Sequence, residues 1–174
     1  MKFMRYAAPA FAAVLFVSAA GFARQQTHQH DQHDHHAEVN KRGDKTMGFS
    51  HTNTTHHFRL FEDGGAIEVE ANDPNDADSR AKIQKHLHKI AEMFAAGNFE
   101  MPMAIHDQVP PGVPAMVSLK AEIAYKYDDT ERGGRVRIIT KSAEARAAVH
   151  EFLRFQIQDH NTGDSLEVEK NDKM

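Results

Sequence analysis

Alternating apolar and polar residues predict a β-hairpin in the first half of the chain. Phe58 and Leu60 alternate with polar neighbours, and Ile67 and Val69 alternate with glutamates beyond an Asp-Gly-Gly turn. A spacing of two places successive side chains on opposite faces of a strand, and a short glycine turn reverses the chain. We therefore expect two antiparallel strands that share one apolar face.

The period changes to that of a helix after this hairpin. Ile83, Leu87, Ile90 and Phe94 form an apolar stripe that ends before a glycine. Positions three and four apart lie on one side of an α-helix, so the stripe predicts a helix with one buried face.

A second copy of the same order follows a proline-rich loop. Apolar residues alternate over 123–127 and 136–138 around a Glu-Arg-Gly-Gly turn, and Ser142 then precedes a stripe that includes Val149 and Leu153. Serine is a favoured N-cap residue, so a second helix is expected to begin there. Because neither strand-strand-helix unit could cover its apolar face alone, the two should join. The predicted fold is α+β: a two-layer sandwich with a four-stranded antiparallel sheet and two helices on one face.

Composition divides the chain into four segments. A basic start, an apolar run of about a dozen residues and small residues near position 20 are typical of an export signal. The polar stretch that follows has no periodicity and is expected to be disordered. We assign a signal peptide to 1–23, a His-rich segment to 24–46, the folded domain to 47–165 and a disordered tail to 166–174. The protein is expected to be exported, to the periplasm or beyond, with no membrane insertion after cleavage.

Charge and cysteine content narrow the classes of partner. The chain has 21 Lys and Arg against 25 Asp and Glu, and the basic residues are dispersed among acids. A nucleic-acid interface needs a basic patch, so no nucleic acid is expected as a partner. Because the chain contains no cysteine, any metal must be held by His, Met or carboxylates. The open edges of the predicted sheet are compatible with a homodimer.

The stretch THQHDQHDHH within the His-rich segment is the strongest chemical signal. Imidazoles in a flexible tract can bind copper or zinc weakly and in changing combinations, with aspartates as further ligands. The alternative is a solvated spacer whose histidines gain charge below about pH 6.5. The candidate ligands here are His28, His30, His33, His35 and His36.

Four further histidines fall on or near the predicted buried side of the domain. A buried imidazole needs a hydrogen-bond partner or a metal, and Met101 and Met103 supply thioethers nearby. For each histidine alone the plain alternative is a backbone hydrogen bond, or a favourable charge at a helix end for His160. The four are His56, His86, His106 and His160, whereas periodicity places His150 near the surface.

The domain also carries a resemblance. The segments MGFSHTNTTHHF, DGGAIEVEANDP, IQKHL, IHDQVPPGV and VHEFLRFQIQDH resemble a group of small bacterial proteins that often bear the automatic name aspartate carbamoyltransferase. The resemblance covers about residues 47–163. A sequence that resembles a true transcarbamoylase would be about twice as long and would contain S-T-R-T and H-P-x-Q segments. Both segments are absent here, so transcarbamoylase activity is not expected. The matching histidines implied by the resemblance are His56, His86, His106, His150 and His160.

These observations favour an exported protein that binds copper or zinc through the His-rich segment and through domain histidines. A second reading is a small enzyme that uses a domain histidine as general acid or base with a carboxylate such as Asp107. It predicts a closed pocket around His56 and His106. A third reading is an interaction module with an apolar, exposed sheet face.

Overall fold

The structure is a computed structural model that describes residues 35–171. The predicted signal peptide, and His28, His30 and His33, lie outside the described residues.

The described residues form the predicted α+β sandwich. The sheet is fully antiparallel and has the strand order β1-β2-β4-β3, so the two hairpins join through β2 and β4. The strands are β1 Thr54–Phe61, β2 Gly64–Ala71, β3 Ile123–Asp129 and β4 Gly133–Thr140. The helices are α1 over residues 35–47, α2 Ala77–Ala95, α3 Glu100–His106, α4 Val113–Ser118 and α5 Ala143–Asp159.

Helices α2 and α5 cover one face of the sheet, as the repeated unit predicts. Asp76 caps α2 by accepting a hydrogen bond from the Ser79 backbone N–H at 2.9 Å, and Ser142 caps α5 in the same way at Ala145. The core lies between this helix layer and the sheet, and its centre includes fully or almost fully buried Leu60, Ile83, Val136, Phe152 and Leu153.

The His-rich segment differs from the prediction in its described part. Residues 35–46, expected to be disordered, belong to α1. Val39 is completely buried, and the Arg42 Nε donates a hydrogen bond to the carbonyl of Ile105 at 2.6 Å. Tertiary contacts thus hold a helix that has too little apolar periodicity to be recognised from sequence.

The C-terminal tail also differs from the prediction over its described residues. The Glu169 backbone N–H donates to the carbonyl of Leu60 at 2.8 Å, and its carbonyl accepts from the N–H of Glu62 at 3.1 Å. Glu169 and Phe61 therefore form a parallel bridge. Two residues further on, the side-chain oxygen of Asn171 accepts from the Asp63 backbone N–H at 3.0 Å. Backbone pairing along the edge of β1, rather than burial of apolar side chains, orders this segment.

The proline-rich loop contains two short helices, α3 and α4. Gly112 lies at the N-cap of α4 with φ at +81°, and a Cβ added there would lie 2.1 Å from the carbonyl oxygen of Ala148 in α5. The close approach of α4 to α5 therefore requires glycine at this position.

We predict that Gly112→Ala destabilises the domain more than Gly163→Ala. Gly163 also has positive φ, at +76°, but an added Cβ would meet no atom within 4 Å. The control should cost about 1 kcal/mol from backbone strain alone, whereas Gly112→Ala must also separate two helices. Urea unfolding of both variants measures the difference, and equal losses would contradict the tight packing of α4 on α5.

Candidate functional site: a histidine cavity

Three of the five candidate domain histidines line one cavity. His56 lies on the helix-facing side of β1, His86 in α2 and His160 at the C-cap of α5. The cavity has a volume of about 50 Å³ and is otherwise lined mainly by aromatic and aliphatic side chains. Met47 from the end of α1 and Met101 from α3 complete its wall. The inner cavity, as we call it, thus collects imidazoles and thioethers from five elements.

The rings of this cluster are stacked rather than hydrogen-bonded to one another. The imidazoles of His56 and His160 are parallel within 2°, with centroids 5.9 Å apart. Phe58 stacks on His160 at 5.6 Å, and Phe49 lies 5.5 Å from His86 and 6.0 Å from His56. The aromatic surroundings fix the ring planes and keep them in an apolar environment.

Burial makes these three imidazoles weak bases. It lowers the pKa of His56 to about 4, with positive charge on His86 as the next cause. Burial likewise lowers the pKa of His86 to about 4, and that of His160 to about 3. Each ring is therefore neutral at pH 7 and retains a nitrogen lone pair.

One nitrogen in the cluster is left without a partner. The Nε2 atom of His56 is buried and makes no hydrogen bond with any described residue. Buried polar atoms in native proteins nearly always have a partner, and an orphaned one is typical of a site that takes a ligand, ion or water.

The other two candidate domain histidines are engaged in structural contacts. His106 is fully buried; its Nδ1 donates to Asp159 Oδ2 at 2.5 Å and its Nε2 lies 2.9 Å from Gln156 Oε1. The His150 Nε2 donates to the carbonyls of Phe61 and Gly64, at 2.9 Å each. His106 thus ties α3 to α5, and His150 ties α5 to the first hairpin. His150, placed near the surface by periodicity, is half-buried.

The two described histidines of the His-rich segment both contact Asp159. The His35 Nε2 donates to Asp159 Oδ1 at 2.7 Å, and the His36 Nδ1 donates to the Asp159 backbone carbonyl at 2.9 Å. Partial burial by itself raises the pKa of Asp159, but the hydrogen bonds from His35 and His106 outweigh it and hold that pKa below its usual range. An ionised Asp159 therefore joins α1, α3 and α5.

A second, more polar cavity lies against the first. It has a volume of about 200 Å³ and shares Met47, His56 and His160 with the inner cavity. Asn40 of α1 and His51 also line this outer cavity. The His51 side chain is held by Asp44, with its Nδ1 2.9 Å from Asp44 Oδ2.

Sequence reasoning overlooked Met47 and His51. Met47 is the last residue of a helix that was not expected, and His51 lies in the irregular stretch between α1 and β1. Of the two methionines selected from sequence, Met101 lines the inner cavity, but Met103 is 37% exposed and does not. The sequence information available for these two residues was the segment M-G-F-S-H. It has no helical or strand periodicity from which the position of its side chains could be predicted.

The opposite face of the sheet is charged. Arg59 and Arg135 both pair with Glu68, at 3.3 and 3.6 Å, and Arg132 pairs with Glu70. Arg137 is buried there and donates to Asp63 while its guanidinium packs on an aromatic ring. The interaction-module reading required an apolar face, which this layer of ion pairs does not provide.

Among the described residues there is neither a group of three or more potential His, Cys, Asp or Glu ligands of a metal nor a helix suited to span a membrane. Within residues 35–171, no three His, Cys, Asp or Glu side chains are grouped so that they could hold a metal ion together. None of the helices in the described part of the chain combines the length and apolar character needed to cross a membrane. No family model, curated protein or solved structure matches the chain.

We predict that acid destabilises the protein through the neutral histidines. Their pKa is about 6.5 in the unfolded chain but about 4 in the folded protein for His56 and His86. As the pH falls, the unfolded state binds protons first, so stability that is complete above pH 6.5 is lost progressively down to about pH 4. One such histidine corresponds to about 3 kcal/mol. Urea unfolding across this range measures the loss.

The matched variants for this measurement lie on one helix. His86→Leu should flatten the pH dependence, because it removes one group that must be protonated on unfolding. His88→Gln alters an exposed histidine two residues away and should leave the dependence unchanged. An equally steep profile for His86→Leu would contradict the assignment.

We also predict that Asp159→Asn loosens α1. The amide keeps the shape of the side chain but removes the charge that accepts from His35 and His106. Amide hydrogens of residues 35–47 should exchange on the order of ten times faster, because loss of a charge-assisted contact of about 1.5 kcal/mol lowers the free energy of local opening. Glu151→Gln, an exposed change in the same helix, should have no such effect. Unchanged exchange in Asp159→Asn would refute the role of this carboxylate.

Proposed function

We propose that this protein binds a transition metal ion, copper or zinc, in the inner cavity of its domain, where two of the three histidines His56, His86 and His160 supply imidazole ligands. A weaker capture site in the His-rich segment assists it, and the protein acts outside the cytoplasm. The observation that carries the proposal is the collection of neutral, partly buried imidazoles around one cavity, one of them with an orphaned nitrogen.

The protonation state supports this proposal. A histidine must be unprotonated to bind a metal, and a metal site usually loses protons when it is loaded. His56, His86 and His160 have pKa values lowered far enough that no proton has to leave at neutral pH.

The surrounding contacts also support a site on rigid elements. His56 lies on a strand and His86 on a long helix, while His160 is fixed at the end of α5 next to Asp159. Second-sphere contacts that fix ligand orientation contribute strongly to metal affinity. The stacked rings of Phe49 and Phe58 provide such support here.

The His-rich segment supplies a separate, weaker site, with fewer histidines than the sequence analysis selected. His35 and His36 are engaged at Asp159, so we assign low-affinity capture to His28, His30 and His33, which lie outside the described residues. Their spacing in a polar stretch suits weak binding in changing combinations. The export signal read from residues 1–23 and the lack of cysteine support a location outside the cytoplasm.

An acid-base role for His106 has less support. Both of its ring nitrogens face protein groups, Asp159 and Gln156, and its side chain is completely buried. It also does not line the inner cavity. We therefore assign His106 to positioning α3 and α5.

We predict that the domain retains one metal ion per chain when capture by the His-rich segment is removed. Full-length protein carrying His28→Ser, His30→Ser and His33→Ser should bind close to one equivalent of copper or zinc, since the domain donors remain. Adding His160→Leu should lower that affinity by at least about 100-fold, because a buried imidazole ligand contributes several kcal/mol to binding. Calorimetric titration and elemental analysis after dialysis measure both.

The control is His88→Gln in the same background. His88 is exposed on the outer side of α2 and should leave stoichiometry and affinity unchanged. Absence of bound metal in the triple variant, with the folded state verified by circular dichroism, would refute the domain site. An unchanged affinity in His160→Leu would place the ion elsewhere.

A further inference from the structure

We propose that the inner cavity selects copper as the cuprous ion over divalent copper and zinc, with Met47 and Met101 supplying thioether ligands beside His56 and His160. The inference rests on the proposed function and specifies the ion that this site takes.

The donor atoms at the cavity belong to uncharged side chains, and two of them are thioether sulfurs. Among the described residues, the side chains with heteroatoms on its wall are the three histidines, two methionines and the amide of Gln156. Thioethers are soft ligands that favour cuprous copper, whereas carboxylates and water suit harder divalent ions. The wall therefore presents the donor set of a soft ion.

The carboxylate that follows the end of the α5 stripe, Asp159, is already engaged by two histidines. Asp159 is adjacent in sequence to His160, but its Oδ1 accepts from His35 and its Oδ2 accepts from His106. Asp159 does not line the inner cavity. A bound ion would thus meet neutral donors only, with no anionic ligand to balance its charge.

Because the wall is apolar and supplies no anionic ligand, the cavity should favour an ion of lower charge. The free energy of moving an ion from water into a low-dielectric region grows with the square of its charge, so a dication is penalised about four times as strongly as a monocation. Phe58, Leu87, Ile105 and Phe152 are among the side chains that make the wall apolar. A monovalent ion of high affinity for neutral donors is the best fit.

The cavity has room for an ion beside its side-chain donors. Its volume is about 50 Å³, several times the space that one water needs. Cuprous copper, which accepts two or three ligands, can be satisfied by His56, His160 and one thioether.

The arrangement of donors makes α1 part of the site. Met47 ends α1 and lines both cavities, and the same helix is held to the domain by the contacts of His35, His36 and Arg42. Met101 comes from α3, which His106 ties to Asp159. The hydrogen bonds of Asp159 therefore help to fix the two helices that carry the thioethers. The same hydrogen bonds engage the Asp159 carboxylate, so that it is not offered to the ion.

The test compares the affinities of three ions for one protein. Full-length protein carrying His28→Ser, His30→Ser and His33→Ser is titrated anaerobically with cuprous copper against a chromogenic cuprous chelator, and separately with cupric copper and zinc against a metal-binding dye. We expect one equivalent of cuprous copper to bind at least 100-fold more tightly than either dication. X-ray absorption should show sulfur as well as nitrogen around the ion.

Isosteric variants isolate the thioethers. Met101→Leu conserves volume but removes the sulfur, and it should weaken cuprous binding at least tenfold while leaving the fold unchanged. Met103→Leu, two residues along the same helix on an exposed side chain, should have no effect. Met47→Leu should resemble Met101→Leu.

The outcomes separate the two proposals. Tighter binding of zinc or cupric copper, abolished by His160→Leu, would overturn cuprous selectivity and leave the proposed metal function intact. The proposal of a cuprous site with thioether ligands would also be overturned if neither Met47→Leu nor Met101→Leu weakened binding and X-ray absorption showed no sulfur. Failure of all three ions to bind the domain would overturn both proposals.

Discussion

The antiparallel pairing of β2 with β4 is the contact on which the arrangement of the site depends. It joins two strand-strand-helix units edge to edge, from Gly64 opposite Ile139 to Glu70 opposite Gly133. Because each unit has its helix on the same side, the pairing places α2 and α5 next to each other over one sheet face. His86 of the first unit and His160 of the second then line the same cavity as His56, which neither unit could achieve alone.

Asp159 has the complementary role at the other end of the helix layer. One ionised carboxylate accepts from His35 of α1 and His106 of α3, and charge-assisted hydrogen bonds of this kind are stronger than neutral ones. The protein thus separates its histidines by environment: those beside Asp159 serve as donors in a structural junction, and those in the cavity are left neutral. The same residue type fills both roles because the histidines of the junction face the Asp159 carboxylate, whereas those that line the cavity have mainly aromatic and aliphatic neighbours.

Much of the fold could be predicted from the sequence, and the limits have physical causes. The two hairpins and the long helices were predictable because Phe58, Leu60 and the stripe from Ile83 to Phe94 repeat with the period of their element. The same periodicity placed His56, His86 and His160 on the buried side. Helix α1 and the segment around Glu169 were not predictable, since contacts with residues distant in sequence hold them. For the same reason the partners of His106 and His150, and the presence of Met47 in the cavity, required the structure.

The pairing of the C-terminal segment with β1 has a consequence for how copies of this protein can associate. An exposed strand edge invites addition of another strand, and a molecule with two such edges can grow into an open fibre. Here the outward N–H of Phe58 donates to Asp164, and the outward groups of Leu60 and Glu62 pair with Glu169. Strand addition at β1 would first have to displace the protein's own chain. Edge-to-edge growth is thereby confined to β3, so that association through strand pairing would end at two molecules instead of continuing as a polymer.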